Sequence, residues 1–296
     1  MHGSPTQMTV VSGKGGTGKT TCLASFAALA ARKRSFSPVI ADCDVDASNL
    51  YLLLHPDDRQ SGVFMGAKVV VRDEDRCTRC GVCERTCRFE AITVDAIDGM
   101  ACEGCGACVV ACPAQALRLE PIEVGHWYLG ETRYGPMAHA HLLPAAESSG
   151  RLVTLVRQKA EDLATERGLD LILIDGPPGL GCTTTAALAD VDLALIVAEP
   201  TLSGMHDMAR QVDLIHHFGL PAAVVINKWD INPHNTGQLR SYCASQGLPV
   251  LGEVPYDTTV TDALAAQMPL VEHNDGPASR AVRAAWASTE RLLTQL

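Results

Sequence analysis

Eight of the twelve cysteines form two copies of one pattern. Cys77, Cys80, Cys83 and Cys87 read C-x2-C-x2-C-x3-C, and Cys102, Cys105, Cys108 and Cys112 repeat it 25 residues later, followed by Pro113. Four thiolates at such short spacings wrap a cubic iron–sulfur cluster, whereas a structural zinc site places longer gaps between its ligand pairs. The flanks repeat at the same offset, Glu90-Ala-Ile-Thr-Val against Gln115-Ala-Leu-Arg-Leu. A second chemistry lies upstream. Residues 13–21 read Gly13-Lys14-Gly15-Gly16-Thr17-Gly18-Lys19-Thr20-Thr21. This is a G-x-x-x-x-G-K-[ST] loop, whose glycines turn backbone N–H groups onto phosphates. Lys19 would reach the β- and γ-phosphates and Thr20 would ligate Mg2+.

The loop needs a strand before it and a helix after it. Met8–Ser12 supplies an apolar strand and Lys19–Ala31 an alanine-rich helix. Pro38–Asp42 is a second buried strand ending in Asp42-Cys43-Asp44-Val45-Asp46, and Asn49–Leu54 a short helix. Further strands are expected at Leu171–Asp175, Leu193–Ala198, Ala223–Asn227 and Val250–Glu253, with helices at Leu152–Arg167, near 203–218 and 235–246, and at 277–294. This alternation predicts an α/β fold, a mostly parallel sheet with helices on both faces and its site at the carboxyl ends of the strands. The cysteine-rich 72–122 is then an inserted small α+β domain between a first part, 1–71, and a second part, 123–296. Residues 123–150, with Trp127, Tyr128, Tyr134, His139 and His141, read as a less regular stretch. The histidines there are at most a partner or substrate surface, and loop histidines more often do nothing special.

Composition narrows the classes. The chain has 296 residues, 47% of them hydrophobic and 4% aromatic, so aliphatic side chains fill a globular core. Its net charge of −10 repels phosphate backbones, and bound clusters would add to it, so no nucleic-acid partner is expected. No run of about 18 apolar residues marks a membrane span, and no apolar signal segment opens the chain. Membrane association is therefore not expected, and a reducing, cytoplasmic location would keep the thiolates free for iron. The basic triplet Arg32-Lys33-Arg34 suits the C-terminal end of a helix.

The phosphate loop, with lysines at both Lys14 and Lys19, resembles the deviant Walker A of the MinD/ParA superfamily of P-loop ATPases, which includes the nitrogenase iron protein. The resemblance covers roughly 8–54 and 168–260. It implies ATP and ADP as ligands, Mg2+, and an ATP-dependent dimer, either of two copies or with a related ATPase. In that dimer Lys14 would reach the partner's phosphates. It implies that Asp44 of the second strand's D-x-D positions the attacking water, with Asp46 equally open to solvent. It also makes Asp175-Gly176-Pro177-Pro178-Gly179 a Walker B and switch segment, with Asp175 holding Mg2+ through water. Asn227 falls where the family contacts adenine, and Pro255 and Asp257 flank the base or are plain turn residues.

The cysteine runs resemble the bacterial two-cluster ferredoxin, in which the fourth cysteine of each run serves the other cluster. Two [4Fe–4S] clusters would then be held by Cys77, Cys80, Cys83 and Cys112, and by Cys102, Cys105, Cys108 and Cys87. Arg88 stands where the second run has Pro113, which places a cation near one cluster and should raise its potential. Cys182 lies seven residues beyond Asp175 and is expected in the core, as are Cys22 and Cys43. Three roles follow from the combined resemblance. The first is ATP-gated electron transfer to a redox partner, and the second is assembly or delivery of iron–sulfur or other metal centres to an accepting protein. The third is MinD-like spatial organisation with the clusters as redox sensors.

Overall fold

A computed structural model describes residues 4–33, 35–144, 146 and 150–296, save the side chain of Lys33. Nine strands form one sheet in the order β3-β4-β5-β2-β6-β1-β7-β8-β9. They are β1 (Thr6–Ser12), β2 (Pro38–Asp42), β3 (Asp57–Arg72), β4 (Leu117–Thr132), β5 (Gly135–Leu142), β6 (Leu171–Pro178), β7 (Leu193–Ala198), β8 (Ala222–Asn227) and β9 (Val250–Val254). The helices are α1 (Lys19–Lys33), α2 (Leu50–Leu54), α3 (Val82–Thr86), α4 (Ala107–Ala111), α5 (Gly150–Arg167), α6 (Cys182–Leu188), α7 (Leu202–His217), α8 (Pro233–Ser245), α9 (Thr259–Ala265), α10 (Leu270–His273) and α11 (Pro277–Leu293). The basic triplet falls at the end of α1, where Arg32 pairs with Glu272 at 2.9 Å and Arg34 lies outside the described residues.

β5, β2, β6, β1, β7, β8 and β9 run parallel. Central strands of this kind are buried on both faces, and β7 shows how. Leu193, Leu195 and Val197 join a core with α1 and α11, while Ala194, Ile196 and Ala198 join a second core with α7 and α8. Period-2 alternation thus feeds two cores at once, which is why these strands read as continuous apolar runs. Trp286 of α11 is fully buried and packs 5.1 Å from Phe26 of α1, so α11 docks on the fold.

The expectation of a less regular 123–150 is corrected. β4 continues to Thr132, a two-residue turn at Arg133-Tyr134 follows, and β5 runs to Leu142. Residues 145 and 147–149 lie outside the described residues. β3 had no counterpart in the sequence reading either. Its first residues, Asp57-Asp58-Arg59-Gln60, are exposed on an edge strand and carry no apolar alternation to reveal it.

The chain divides into two compact units. One holds the parallel sheet and its helices. The other comprises Val63–His126 with a short stretch from Leu142, somewhat wider than the cysteine-rich 72–122. Inside this second unit the 25-residue repeat is written in the backbone. Gly81 and Gly106 precede α3 and α4 at φ 71° and 75°, and Cys87 and Cys112 follow them in extended conformations at φ −75° and −74°. Glu90 and Gln115 share left-handed φ values of 55° and 50°, as do Arg79 and Gly104 at 54° and 60°.

Candidate functional site: a phosphate loop and two cysteine-lined cavities

The strand order decides which side chains meet. β6 lies between β2 and β1, so Asp175 is flanked by its register partners Asp42 and Val10, the latter on the strand that leads into the phosphate loop. Gly16 and Gly18 take φ values of +78° and +96°, which turn the loop's backbone inward. A Cβ on Gly18 would come within 2.4 Å of Asn227 Nδ2, because Asn227 donates to the carbonyl of Thr17 at 2.7 Å. The asparagine expected at adenine therefore also braces the loop. Lys19 is buried, with Nζ 3.9 Å from Asp44, and the Thr20 hydroxyl donates to Asp175 Oδ2 at 2.7 Å.

A cavity of about 680 Å3 opens over this loop. Its walls include Gly15, Gly16, Gly18, Lys19, Thr20, Thr21, Asp44, Asn227, Pro255 and Asp257, so it gathers most of the phosphate, water-positioning and base residues expected from sequence. Gly13, Thr17 and Asp175 are not part of that wall, and Asp46 is exposed outside it. Asp257 accepts from the N–H and hydroxyl of Thr259 at 3.0 and 2.7 Å, which holds its carboxyl below the usual range. Two buried oxygens, Asp175 Oδ1 and Thr17 Oγ1, have no hydrogen-bond partner. Buried polar atoms are almost always satisfied, so orphans beside a phosphate loop fit a hydrated cation and a phosphate.

The carboxylates are crowded. Burial, then the Asp175 charge, pushes Asp42 well above the usual range. Burial raises Asp175 to about 6 against the pull of Lys19 and Thr20, and burial also raises Asp44. Asp42 organises the loop beyond β2, accepting from Ser48 at 2.7 Å and from the backbone of Asp44 and Leu50 at 3.2 and 3.3 Å. Cys22 is pushed up to about 12 by burial and then by Asp175, and Cys43 also rises, so both are packing thiols as expected.

Lys14 has a partner the sequence did not announce. Its Nζ lies 2.5 Å from Glu199, one residue beyond β7, and donates to Thr201 and Ser203 at 3.2 Å. Lys228 reaches the same carboxylate at 3.1 Å and the Gly16 carbonyl at 3.0 Å. Burial works against the Glu199 charge, but the two ammoniums outweigh it and hold its carboxyl below the usual range. The missed signal is an acidic residue closing a wholly apolar strand. Cys182 is a correction. It is exposed at the first turn of α6, which turns Thr184, Ala187 and Leu188 inward instead.

In the second unit the cysteines sort into two small cavities. Cys77, Cys80, Cys83 and Cys112 line one, and Cys87, Cys102, Cys105 and Cys108 line the other. Each cavity thus takes three thiols from one run and the fourth from the other. All twelve cysteines are free thiols. Among the described residues no three His, Cys, Asp or Glu side chains converge on a position for a single metal ion. The thiols instead surround a volume, a donor arrangement that fits a multi-iron cluster. Val70, Ile92, Cys108 and Leu117 form the apolar wall between and behind them. Arg88 is exposed and lines neither cavity, so the cation expected there is not beside a thiol set.

A phosphate loop at the carboxyl end of a parallel sheet, with a buried aspartate on the adjacent strand that accepts from the loop's Thr20, defines a P-loop nucleotide-binding protein. The family model of the CobQ/CobB/MinD/ParA nucleotide binding domain matches residues 8–270, and the chain belongs to that family. It is 33% identical over 269 residues to an uncharacterized protein of Methanocaldococcus jannaschii, covering 90% of this chain and 91% of the relative. An iron–sulfur cluster carrier protein of Pyrococcus furiosus is 28% identical over 127 residues, 38% of this chain and 42% of the carrier. The septum site-determining protein MinD of Pyrococcus horikoshii, solved with Mg-ADP, superposes with a TM-score of 0.62 over 97% of both chains at 18% identity, a likeness of fold. Among the described residues no helix is long and apolar enough to cross a membrane.

Proposed function

We propose that this ATPase of the MinD/ParA type is an ATP-dependent dimeric switch coupled to two [4Fe–4S] clusters, and that its output is nucleotide-gated electron transfer to a protein partner. The reading rests on one observation above all. The eight cysteines sort into two cavities by the crossed ligand sets of a two-cluster ferredoxin, in a chain whose other unit carries a phosphate loop. When bound, such clusters supply one-electron chemistry.

Lys19 and the loop's N–H groups would hold the β- and γ-phosphates, and Thr20 and Asp175, now hydrogen-bonded to each other, would hold Mg2+, which would offset phosphate charge. Asp44 orients the attacking water. Lys14 leaves Glu199 and reaches the phosphates bound by the opposite protomer, which makes closure of the dimer depend on the γ-phosphate. Cys108 is buried and Cys83, Cys87, Cys102 and Cys112 are packed against apolar side chains, while Cys80 and Cys105 are exposed, one in each set; the packed majority favours resident, electron-carrying clusters over transferable ones.

A second reading, assembly or delivery of iron–sulfur clusters, is favoured by the partial likeness to the Pyrococcus carrier. One experiment separates the two. The anaerobically reconstituted protein is titrated by EPR without nucleotide, with MgADP and with a non-hydrolysable MgATP analogue, and then mixed with an apo-acceptor. Nucleotide-dependent potentials with no loss of iron support gated electron transfer. Potentials identical in all three states, with iron passing to the acceptor, would establish the carrier reading instead.

A further inference from the structure

The two thiol sets are not equivalent, although the backbone that carries them is repeated. Val70 and Arg72 lie two residues apart on β3 and so share a face of the strand. Val70 lines the cavity of Cys87, Cys102, Cys105 and Cys108, and Arg72 lines that of Cys77, Cys80, Cys83 and Cys112. The Arg72 side chain is only 5% exposed. Its Nη1 donates to the carbonyls of Thr93 and Val94 at 3.0 and 2.9 Å, and its Nε to Glu74 at 2.8 Å. The backbone bonds fix the guanidinium at the cavity wall, while Glu74 is 67% exposed and its charge is screened by water.

The repeat departs from itself twice more in the same sense. Arg79 lines the first cavity where its counterpart, Gly104, lines the second. Glu103 lines the second where its counterpart, Thr78, lines the first. Arg79 is itself 58% exposed and paired with Asp95, whereas the Arg72 side chain is 5% exposed, so Arg72 carries most of the difference. Adding an electron to a thiolate-ligated cluster adds negative charge, and a fixed cation in a poorly solvated wall favours the reduced state.

We propose that Arg72 makes the set Cys77, Cys80, Cys83 and Cys112 the higher-potential site of the pair, so that an electron given to this unit is held there in preference to the set Cys102, Cys105, Cys108 and Cys87. The inference rests on the cluster reading above and adds a polarity that the repeated cysteine spacing does not contain.

The test uses the full-length reconstituted protein, its iron and sulfide content, and EPR-monitored redox titration of the wild type and of Arg72→Met, Arg72→Lys and Cys77→Ala. The wild type is expected to titrate in two one-electron steps separated by at least tenfold in equilibrium constant, about 59 mV. Arg72→Met should lower the upper step and leave the lower one in place. Arg72→Lys keeps the charge and should retain most of the separation, and Cys77→Ala should abolish or replace the upper step alone. Two coincident steps in the wild type overturn the proposal, as does Arg72→Met moving both steps equally or only the lower one. Iron content unchanged in Arg72→Met shows that the unit still folds. A wild type that binds no iron and sulfide would sink the cluster reading itself, an outcome distinct from two clusters of equal potential.

Discussion

Glu199 holds Lys14 in the free protein, and in the proposed ATP-dependent dimer that contact would set a threshold for closure. Lys14 cannot both pair with Glu199 at 2.5 Å and reach the phosphates of a second subunit. A charge-assisted hydrogen bond is worth about 1.5–3 kcal/mol when lost. Lys14 is 32% exposed, so water offsets part of this and the lower portion, about 1.5–2 kcal/mol, is the better figure. Glu199→Gln keeps the shape and an acceptor oxygen but removes the charge. Two such contacts break when a homodimer closes, so the substitution should tighten the homodimer formed with a non-hydrolysable ATP analogue by about 100- to 700-fold, at roughly 1.4 kcal/mol per decade. Sedimentation equilibrium with that analogue reads the dimer constant directly. Lys228 also loses its counterion at 3.1 Å, and Lys228→Gln serves as the control for that loss. A Glu199→Gln dimer no tighter than wild type, while Lys14→Ala abolishes dimerisation, would refute the reasoning. Lys14 would then act across the interface without Glu199 competing for it.

The crowded carboxylates predict a pH dependence of the nucleotide-free fold. Asp175 titrates near 6 in the folded state against 3.8 in a model peptide, so the folded chain keeps protons that the unfolded chain has released. Stability should therefore fall as pH rises from about 4 through about 6, on the order of 3 kcal/mol for this group. Urea midpoints across that range should drop less steeply in Asp44→Asn, which removes the neighbouring charge that adds to the effect of burial on Asp175, and a steeper drop there would contradict the assignment. Gly18→Ala should cost about 1–3 kcal/mol and weaken nucleotide binding, because its φ of +96° and the Asn227 amide exclude a Cβ; calorimetry reads both effects. Trp286→Ala should cost about 3–5 kcal/mol if α11 is a docked helix, measured by chemical denaturation, and a neutral result would contradict its burial against Phe26.

The parts of this molecule that were legible in the sequence share one cause. β1, β2, β6, β7 and β8 are buried on both faces, and burial on both faces leaves uninterrupted apolar runs. The phosphate loop and the cysteine runs were legible because ligand geometry dictates spacing. Where a strand is exposed, composition goes silent. β3 begins with four polar residues on an edge, and its contribution to the cysteine cavities comes from Val70 and Arg72, which belong to no motif. Arg88, inside the motif, drew attention because it replaced a proline, yet it is exposed and lines neither cavity. Motif position reports covalent neighbours, whereas the charge felt at a cavity depends on which strand the fold lays beside it.

The same distinction explains the histidines of β5. In sequence they suggested a loop surface. In the fold His139 is 2% exposed, with Tyr128 stacked at 5.1 Å and Tyr51 at 6.1 Å, and its Nε2 lies 2.9 Å from Asp58. Aromatic stacking and a carboxylate partner make a histidine acceptable in a position that an aliphatic side chain would otherwise fill. Tyr51 belongs to α2, whose first backbone N–H, at Leu50, donates to Asp42. Asp42 in turn lies in register with Asp175 on the neighbouring strand. Contacts therefore lead from Asp175 through Asp42 and α2 to Asp58, Tyr128 and His139, on the strands that sequence left unassigned. Tyr51 thus joins the helix that donates to Asp42 to the stack on His139.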